Sequence, residues 1–341
     1  MNIGQRQFHL SICTLWVVLL LLFQALPANA KTMADRSLPI AANVPSTVSD
    51  GTAFSCTLSG SNIASVTFTF LERSLTAKAA PLPHTRGGRS IHAATVLMPV
   101  PLDQPQGPQN LSWCITFTDG SIKNGSASIF VTLKEYPVQK LTVEPKYVTP
   151  DPELKERIQR ESSMLHAALN TVSPEKHWKL PLKRPVPGVV TSLFGLRRVL
   201  NGEPKGVHRG LDFNGKTGDP ITAIADGKVI LTGDFYYPGK FVLIDHGLGV
   251  ISISMHMSAI RAKTGHFVKR GDRIGHIGAT GRSTGPHLHL GFYVLGQGVD
   301  VQPLLAPPSK SKPTLAKTKT VSSAPKKGGQ KATNRSQSKK R

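Results

Sequence analysis

Between about Ser37 and Leu133 apolar and polar residues alternate with period two, a pattern that restricts the first half of the chain to β-strands. Successive side chains of a strand point to opposite faces. Val66, Phe68 and Phe70 therefore make one apolar face, and Ala127, Ile129, Val131 and Leu133 make another. Gly, Pro, Asn and Asp cluster between the runs, where turns are needed. The expectation is a small antiparallel β-sandwich over residues 31–137. It holds no catalytic constellation: His84 and His92 flank the turn-like Arg86-Gly87-Gly88-Arg89 and read as solvated or structural.

Downstream, Asp151 and Pro152 form a cap and first-turn pair, and Leu154, Ile158, Leu165 and Leu169 fall on one helical stripe. That places a helix in a linker spanning 138–179. From Leu180 to Leu305 the pattern is β again, with strands such as Lys228–Leu231, Phe241–Ile244 and Val250–Ser254 between Gly-rich turns. Residues 306–341 turn to Lys, Ser, Thr, Pro and Gly, with eleven basic residues and no acid. Such a tail cannot bury a core and is expected to be disordered.

At the other end, Arg6 and His9 precede an apolar run from Leu15 to Phe23, and Ala28-Asn29-Ala30 supplies a small-residue cleavage site. Residues 1–30 read as a secretory signal peptide, the apolar run being too short for a permanent span. Export, to periplasm or cell envelope or beyond, excludes chromosomal readings of the +22 net charge. Half of that charge sits in the tail, so anionic envelope polymers are its expected partners, with no nucleic acid. Cys13 leaves with the leader. Cys56 and Cys114 form an even pair in an oxidising compartment, but Cys56 shares its strand's apolar face while Cys114 lies opposite the large apolar residues Leu111, Trp113, Ile115 and Phe117. A bridge requires those faces to meet, and the sequence leaves the pairing open.

Seven of the twelve histidines lie between 208 and 289. His208-Arg-Gly-Leu-Asp212 sets an imidazole and a carboxylate four apart. His287-Leu-His289 places two imidazoles on one strand face, and His256 follows the alternating Ile251-Ser-Ile253-Ser254. Two nitrogens and one carboxylate oxygen make the three-donor set of a catalytic zinc site, the fourth position being left to water. No His-Glu-x-x-His string occurs, and no glutamate follows Glu203, so the proton acceptor must be His or Asp. His256 and His287 are the natural choices. Gly281-Arg-Ser283-Thr-Gly285 matches a serine-hydrolase string but lacks the strand-to-helix elbow that chemistry needs. His246, His266 and His276 sit beside turn glycines and read as structural.

Together these segments resemble the lysostaphin- and LytM-type zinc endopeptidases, which cleave peptidoglycan cross-links. The resemblance runs through Thr191-Ser-Leu-Phe-Gly-Leu-Arg197, His208-Arg-Gly-Leu-Asp212, Ala225-Asp-Gly227, Ile244-Asp-His-Gly247, Met255-His-Met-Ser258, Val268-Lys-Arg-Gly271 and Gly278-Ala-Thr-Gly-Arg-Ser-Thr-Gly-Pro-His-Leu-His289. It implies that His208, Asp212 and His289 ligate one Zn2+, and that His256 and His287 flank the reacting groups, one as base and one stabilising the oxyanion. With the sandwich, helix and tail read above, the expected fold is mainly all-β: an N-terminal Ig-like sandwich, a linker helix, an antiparallel β catalytic domain of the lysostaphin/LytM type over 180–305, and the basic tail. The implied function is hydrolysis of the stem-peptide cross-links of peptidoglycan. The alternatives are a non-catalytic envelope regulator that activates amidases and a secreted protease acting on extracellular proteins. Two positions depart from the family pattern: Ser254 stands where many members have Tyr, and Lys240 stands near a common Asn.

Overall fold

The computed structural model describes residues 39–83 and 90–308. The expected leader with Cys13, the segment His84 to Arg89, and the basic tail from Ser309 onward lie outside the described residues.

Alternation builds the first half. In spatial order, Thr47–Ser49, Ile122–Thr132, Gly107–Phe117, Ile63–Phe70 and Arg73–Lys78 form one sheet, and Ala41–Asn43, Ala53–Gly60, His92–Pro99 and Ala80–Pro81 form another. All pairings are antiparallel except that of Thr47–Ser49 with Ile122–Thr132. Val66, Phe68 and Phe70 are buried, as are Ile129 and Val131, and they share one core with Leu58 and Val96 of the second sheet. Leu133, expected on that face, is exposed because its strand ends at Thr132. Cys56 is buried in the core, while Cys114 faces outward between Thr67 and Asn124, so the two thiols are unpaired. Burial pushes the Cys56 thiol up to about 12, which keeps it unreactive.

The second half is organised by one large sheet in the order Val190–Ser192, Leu211–Asn214, His287–Val294, Val250–Met257, Gly239–Asp245, Gly227–Phe235 and Phe267–Val268, with Gln297–Gly298 beside His287–Val294. The strands expected at 228–231, 241–244 and 250–254 all lie within it. Its two faces differ. Val242, Ile244, Leu288, Leu290 and Phe292 point into the core shared with the first half. On the other face Phe241, Leu243, Ile251 and Ile253 are covered by the helix Lys155–Leu169 through Leu165, Ala168 and Leu169. The helix is preceded by a single 3₁₀ turn, Pro152–Leu154, whose start is capped by the Asp151 carboxylate accepting from the Glu153 N–H.

The linker contains a second element besides the helix. Val138–Leu141 pairs in parallel with Arg197–Leu200, which in turn pairs with Glu203–Val207. Four residues are too few to carry a legible period, and the strand exists because Arg197–Leu200 offers it an edge. Further ties join the halves. Arg73 donates to the Leu295 carbonyl at 2.7 Å, and Lys134 pairs with buried Asp300 at 2.9 Å. Arg197 pairs with Asp103 at 2.6 Å. Among the described residues no helix is long and apolar enough to cross a membrane.

Candidate metal centre

Strand register assembles the cluster. Leu211–Asn214 and His287–Val294 are antiparallel neighbours, with Asp212 opposite His289 and Asn214 opposite His287. Leu211, Phe213, Leu288 and Leu290 turn into the core, so the intervening Asp212, His287 and His289 share the other face. This face continues past Leu165 of the helix, where it forms the floor of an open groove. His208 arrives from the loop before Asp212. Gly210 between them is required by space: a Cβ there would come within 2.6 Å of both His289 Nε2 and the Leu290 carbonyl.

The donor atoms of His208, Asp212 and His289 lie within 4.8 Å of one another, and all three residues are buried. His208 Nε2 is 2.9 Å from Asp212 Oδ1 and 3.0 Å from His289 Nδ1, and His289 Nδ1 is 2.8 Å from the same oxygen. The tautomer of His208 follows from its far side, where Nδ1 donates to the Leu193 carbonyl at 2.7 Å. With Nδ1 occupied there, Nε2 of His208 faces Asp212 Oδ1, itself an acceptor. Acceptor atoms converge with too few protons among them, and a divalent cation satisfies all three. The donor set, two imidazole nitrogens and one carboxylate oxygen with an open side, fits zinc.

Electrostatics agree. Burial alone would raise the Asp212 carboxyl, but the imidazoles of His208 and His289 hold it well below the usual carboxylate range. Burial pushes His289 down to about 4 against the opposing pull of Asp212, which favours a neutral ring able to offer a lone pair to a cation.

His256 lies beside the cluster, its ring centroid 4.9 Å from that of His287 and 6.0 Å from that of His289. The register between Gly239–Asp245 and Val250–Met257 shifts at this point, and His256 takes a φ of +61°, a conformation that L residues seldom adopt. The irregularity re-aims the side chain, and Nδ1 donates to the Thr280 carbonyl at 2.8 Å. Burial, followed by the neighbouring His289 and His287, pushes its pKa down to about 3. His287 donates from Nδ1 to the Gly285 carbonyl at 2.8 Å, and its Nε2 stands 3.9 Å from Asp212 Oδ1. Each ring therefore keeps Nε2 as a free acceptor.

Sequence reasoning passed over three residues of the site. Arg198 reaches the second oxygen of Asp212 at 3.1 Å, and Gln139 of the linker strand holds Arg198 Nε at 3.2 Å. Arg282 stacks over Tyr237, its guanidinium carbon 4.6 Å from the ring centroid. The second arginine of Arg197-Arg198 was the one available signal for Arg198; nothing in the sequence pointed to Gln139.

The other residues weighed from sequence take no part in the cluster. Ser283 Oγ donates to the Gly285 carbonyl at 2.7 Å within an irregular loop, which braces the loop carrying His287. His246 is fully buried between the Asp226 carbonyl and Ser252 Oγ. His266 is exposed and His276 half-buried, each away from the donor set. Ser254 is buried within its strand, and Lys240 pairs with Asp234 at 3.0 Å; neither lines the groove.

Residues 206–303 match the model of peptidase family M23. A Pseudomonas aeruginosa structure assigned to peptidase M23 is 30% identical, with a TM-score of 0.53, over 76% of this chain and 93% of that one. The peptidoglycan DD-endopeptidase ShyA of Vibrio cholerae is 41% identical over 106 residues, 31% of this chain and 25% of ShyA. The DD-carboxypeptidase/endopeptidase Mpg of Neisseria meningitidis is 38% identical over 111 residues, 33% of this chain and 26% of Mpg. The matched segment thus spans about a quarter of these two relatives.

Proposed function

Because the chain belongs to peptidase family M23, we propose that it is a zinc-dependent endopeptidase hydrolysing the peptide cross-links of bacterial peptidoglycan. The observation that carries this reading is the convergence of His208, Asp212 and His289 within 4.8 Å, flanked by two imidazoles with free Nε2 atoms. In this reading those three residues hold the ion. When bound, zinc supplies Lewis acidity to a water nucleophile and to the scissile carbonyl.

The remaining work falls to the protein. Carbonyls of Thr280 and Gly285 fix the tautomers of His256 and His287, so both rings present Nε2 to the groove. One accepts the proton of the attacking water at Nε2, and the other, once it carries a proton on Nε2, donates a hydrogen bond to the developing oxyanion. Arg198 occupies Asp212 Oδ2 and leaves Oδ1 as the single carboxylate donor. The exclusion of solvent behind His289 strengthens each of these interactions.

The apolar run and Ala28-Asn29-Ala30 support delivery to the envelope, and the basic tail suits retention there on anionic polymers. Zinc content and digestion of purified sacculi test the assignment together. His208→Ala or Asp212→Ala removes bound zinc and lowers digestion by at least about a thousandfold. His256→Ala or His287→Ala abolishes digestion while metal content stays near parental. A His287→Ala protein that digests sacculi at the parental rate breaks the role assignment. A parent that cuts casein but not sacculi breaks the substrate assignment.

A further inference from the structure

We infer that Arg282, with Arg198 beside it, forms a receptor for a carboxylate group carried by the peptide substrate. The inference rests on the peptidase reading and names a feature its substrate must have.

Arg282 lies in the loop between Thr280 and His287 and borders both cavities that flank the metal cluster, as does Arg198. Its backbone N–H donates to the Tyr237 carbonyl at 2.9 Å, and its guanidinium stacks on the same residue's ring. The side chain is thereby held over the groove. Burial works against its charge, and Tyr237 is the neighbour that favours it. No ion pair of Arg282 occurs among the described residues. An arginine does not relieve such a cost by losing its proton, and an anion bound in the groove would offset it.

The surrounding charge points the same way. Arg198, Arg209 and Arg282 line the two cavities, and Asp212 is the one acid among the lining residues. Oδ2 of that acid is held by Arg198, and Oδ1 points into the cluster with His208 and His289, so neither oxygen is turned to Arg282. Burial works against the Arg198 charge as well, Asp212 favours it, and the nearby Arg282 adds a smaller opposition. A bound divalent ion raises the positive potential further. A planar guanidinium fork beside such a field is matched by a planar carboxylate, which it engages through two parallel N–H donors.

The test uses the full chain and a fluorescent stem-type wall peptide with all its carboxylates free, beside a twin in which they are carboxamides. Binding is read by anisotropy on the protein as purified and again after chelator treatment, so that the ion's own attraction for carboxylate is separated out. The expected result is about tenfold tighter binding of the acid in both states. Arg282→Met brings the acid to the level of the amide and leaves amide binding alone. Arg282→Lys, which keeps the charge but not the fork, falls between. Equal binding of acid and amide by the parent overturns the proposal, as does an Arg282→Met protein that loses both ligands alike. Should Arg282→Met fail to fold, the parent's acid–amide difference and Arg282→Lys still decide. Acid-selective binding without cleavage keeps this site and sinks the endopeptidase reading; cleavage without acid preference does the reverse.

Discussion

From Ser65 to Phe70 half-buried and buried residues alternate along the strand, whereas in Val250–Met257 seven of eight residues are buried. The first half of the molecule needs only one dry face per strand, because its sheets pack on each other and leave their outer faces to water. The large sheet of the second half is covered on both sides, by the shared core and by the helix Lys155–Leu169. Buried polar side chains follow that difference. Upstream of residue 200 they are Asp50 and Ser61; downstream they include His208, Asp212, Asp245, His246, Ser252, Ser254, His256 and His289. A buried polar group costs free energy unless its partners are fixed in advance. Here they are carbonyls, hydroxyls and a carboxylate held by strand register. Chemistry is concentrated where water is excluded and partners are rigid, and the other half is left to ordinary packing.

Three measurements break or sharpen this contrast. The largest effect belongs to packing. Phe68→Ala, deep in the first core, is expected to cost about 3–5 kcal/mol in chemical denaturation, while the folded fraction keeps parental zinc affinity. Zinc affinity that falls in step with stability would mean the two regions are not energetically distinct.

Next comes Arg198→Met, which frees Asp212 Oδ2. Zinc affinity, read by competition with a chelator, is expected to fall about 10- to 100-fold with little change in unfolding midpoint. Unchanged affinity would make the Gln139–Arg198–Asp212 chain a packing feature only.

The smallest effect concerns pH. Burial pushes His246 from its ordinary 6.5 down to about 4, so the folded state resists protonation more than the unfolded state does. The stability this gives is complete above about 6.5 and is lost as pH falls towards 4. Denaturation at pH 5.5 should show about 1 kcal/mol less stability from this group than at pH 7. His256 and His289 act in the same direction, so the difference between the parent and His246→Asn isolates it. Identical pH profiles for the two proteins would contradict the assignment.

Spacing in the chain marked the candidate donors, while the choice of His208, Asp212 and His289 among the histidines came with the family resemblance. His287 and His289 two apart must share a strand face, and His208 and Asp212 bracket a glycine that lets the loop close on His289. Alternation likewise marked Val66, Phe68 and Phe70. What escaped depends on register between distant segments. No local pattern foretells that His256 sits at an irregularity with positive φ, or that Arg198 reaches across to Asp212. Nor does Cys114's place on its own strand determine that its face turns away from Cys56.

The parallel pairing of Val138–Leu141 with Arg197–Leu200 bears on how the molecule can be divided. A cut near Leu180 looks natural on paper, since the helix ends and the strands bearing the His-Asp-His cluster lie beyond it. Yet that scission would strip a wall from the cleft, take Gln139 from Arg198, and bare the backbone of Arg197–Leu200 along one side. An uncovered edge of that kind recruits strands from other chains. An excised hydrolase half is therefore expected to stay monomeric when it carries the residues from about Tyr136 onward and to self-associate when it starts near Leu180.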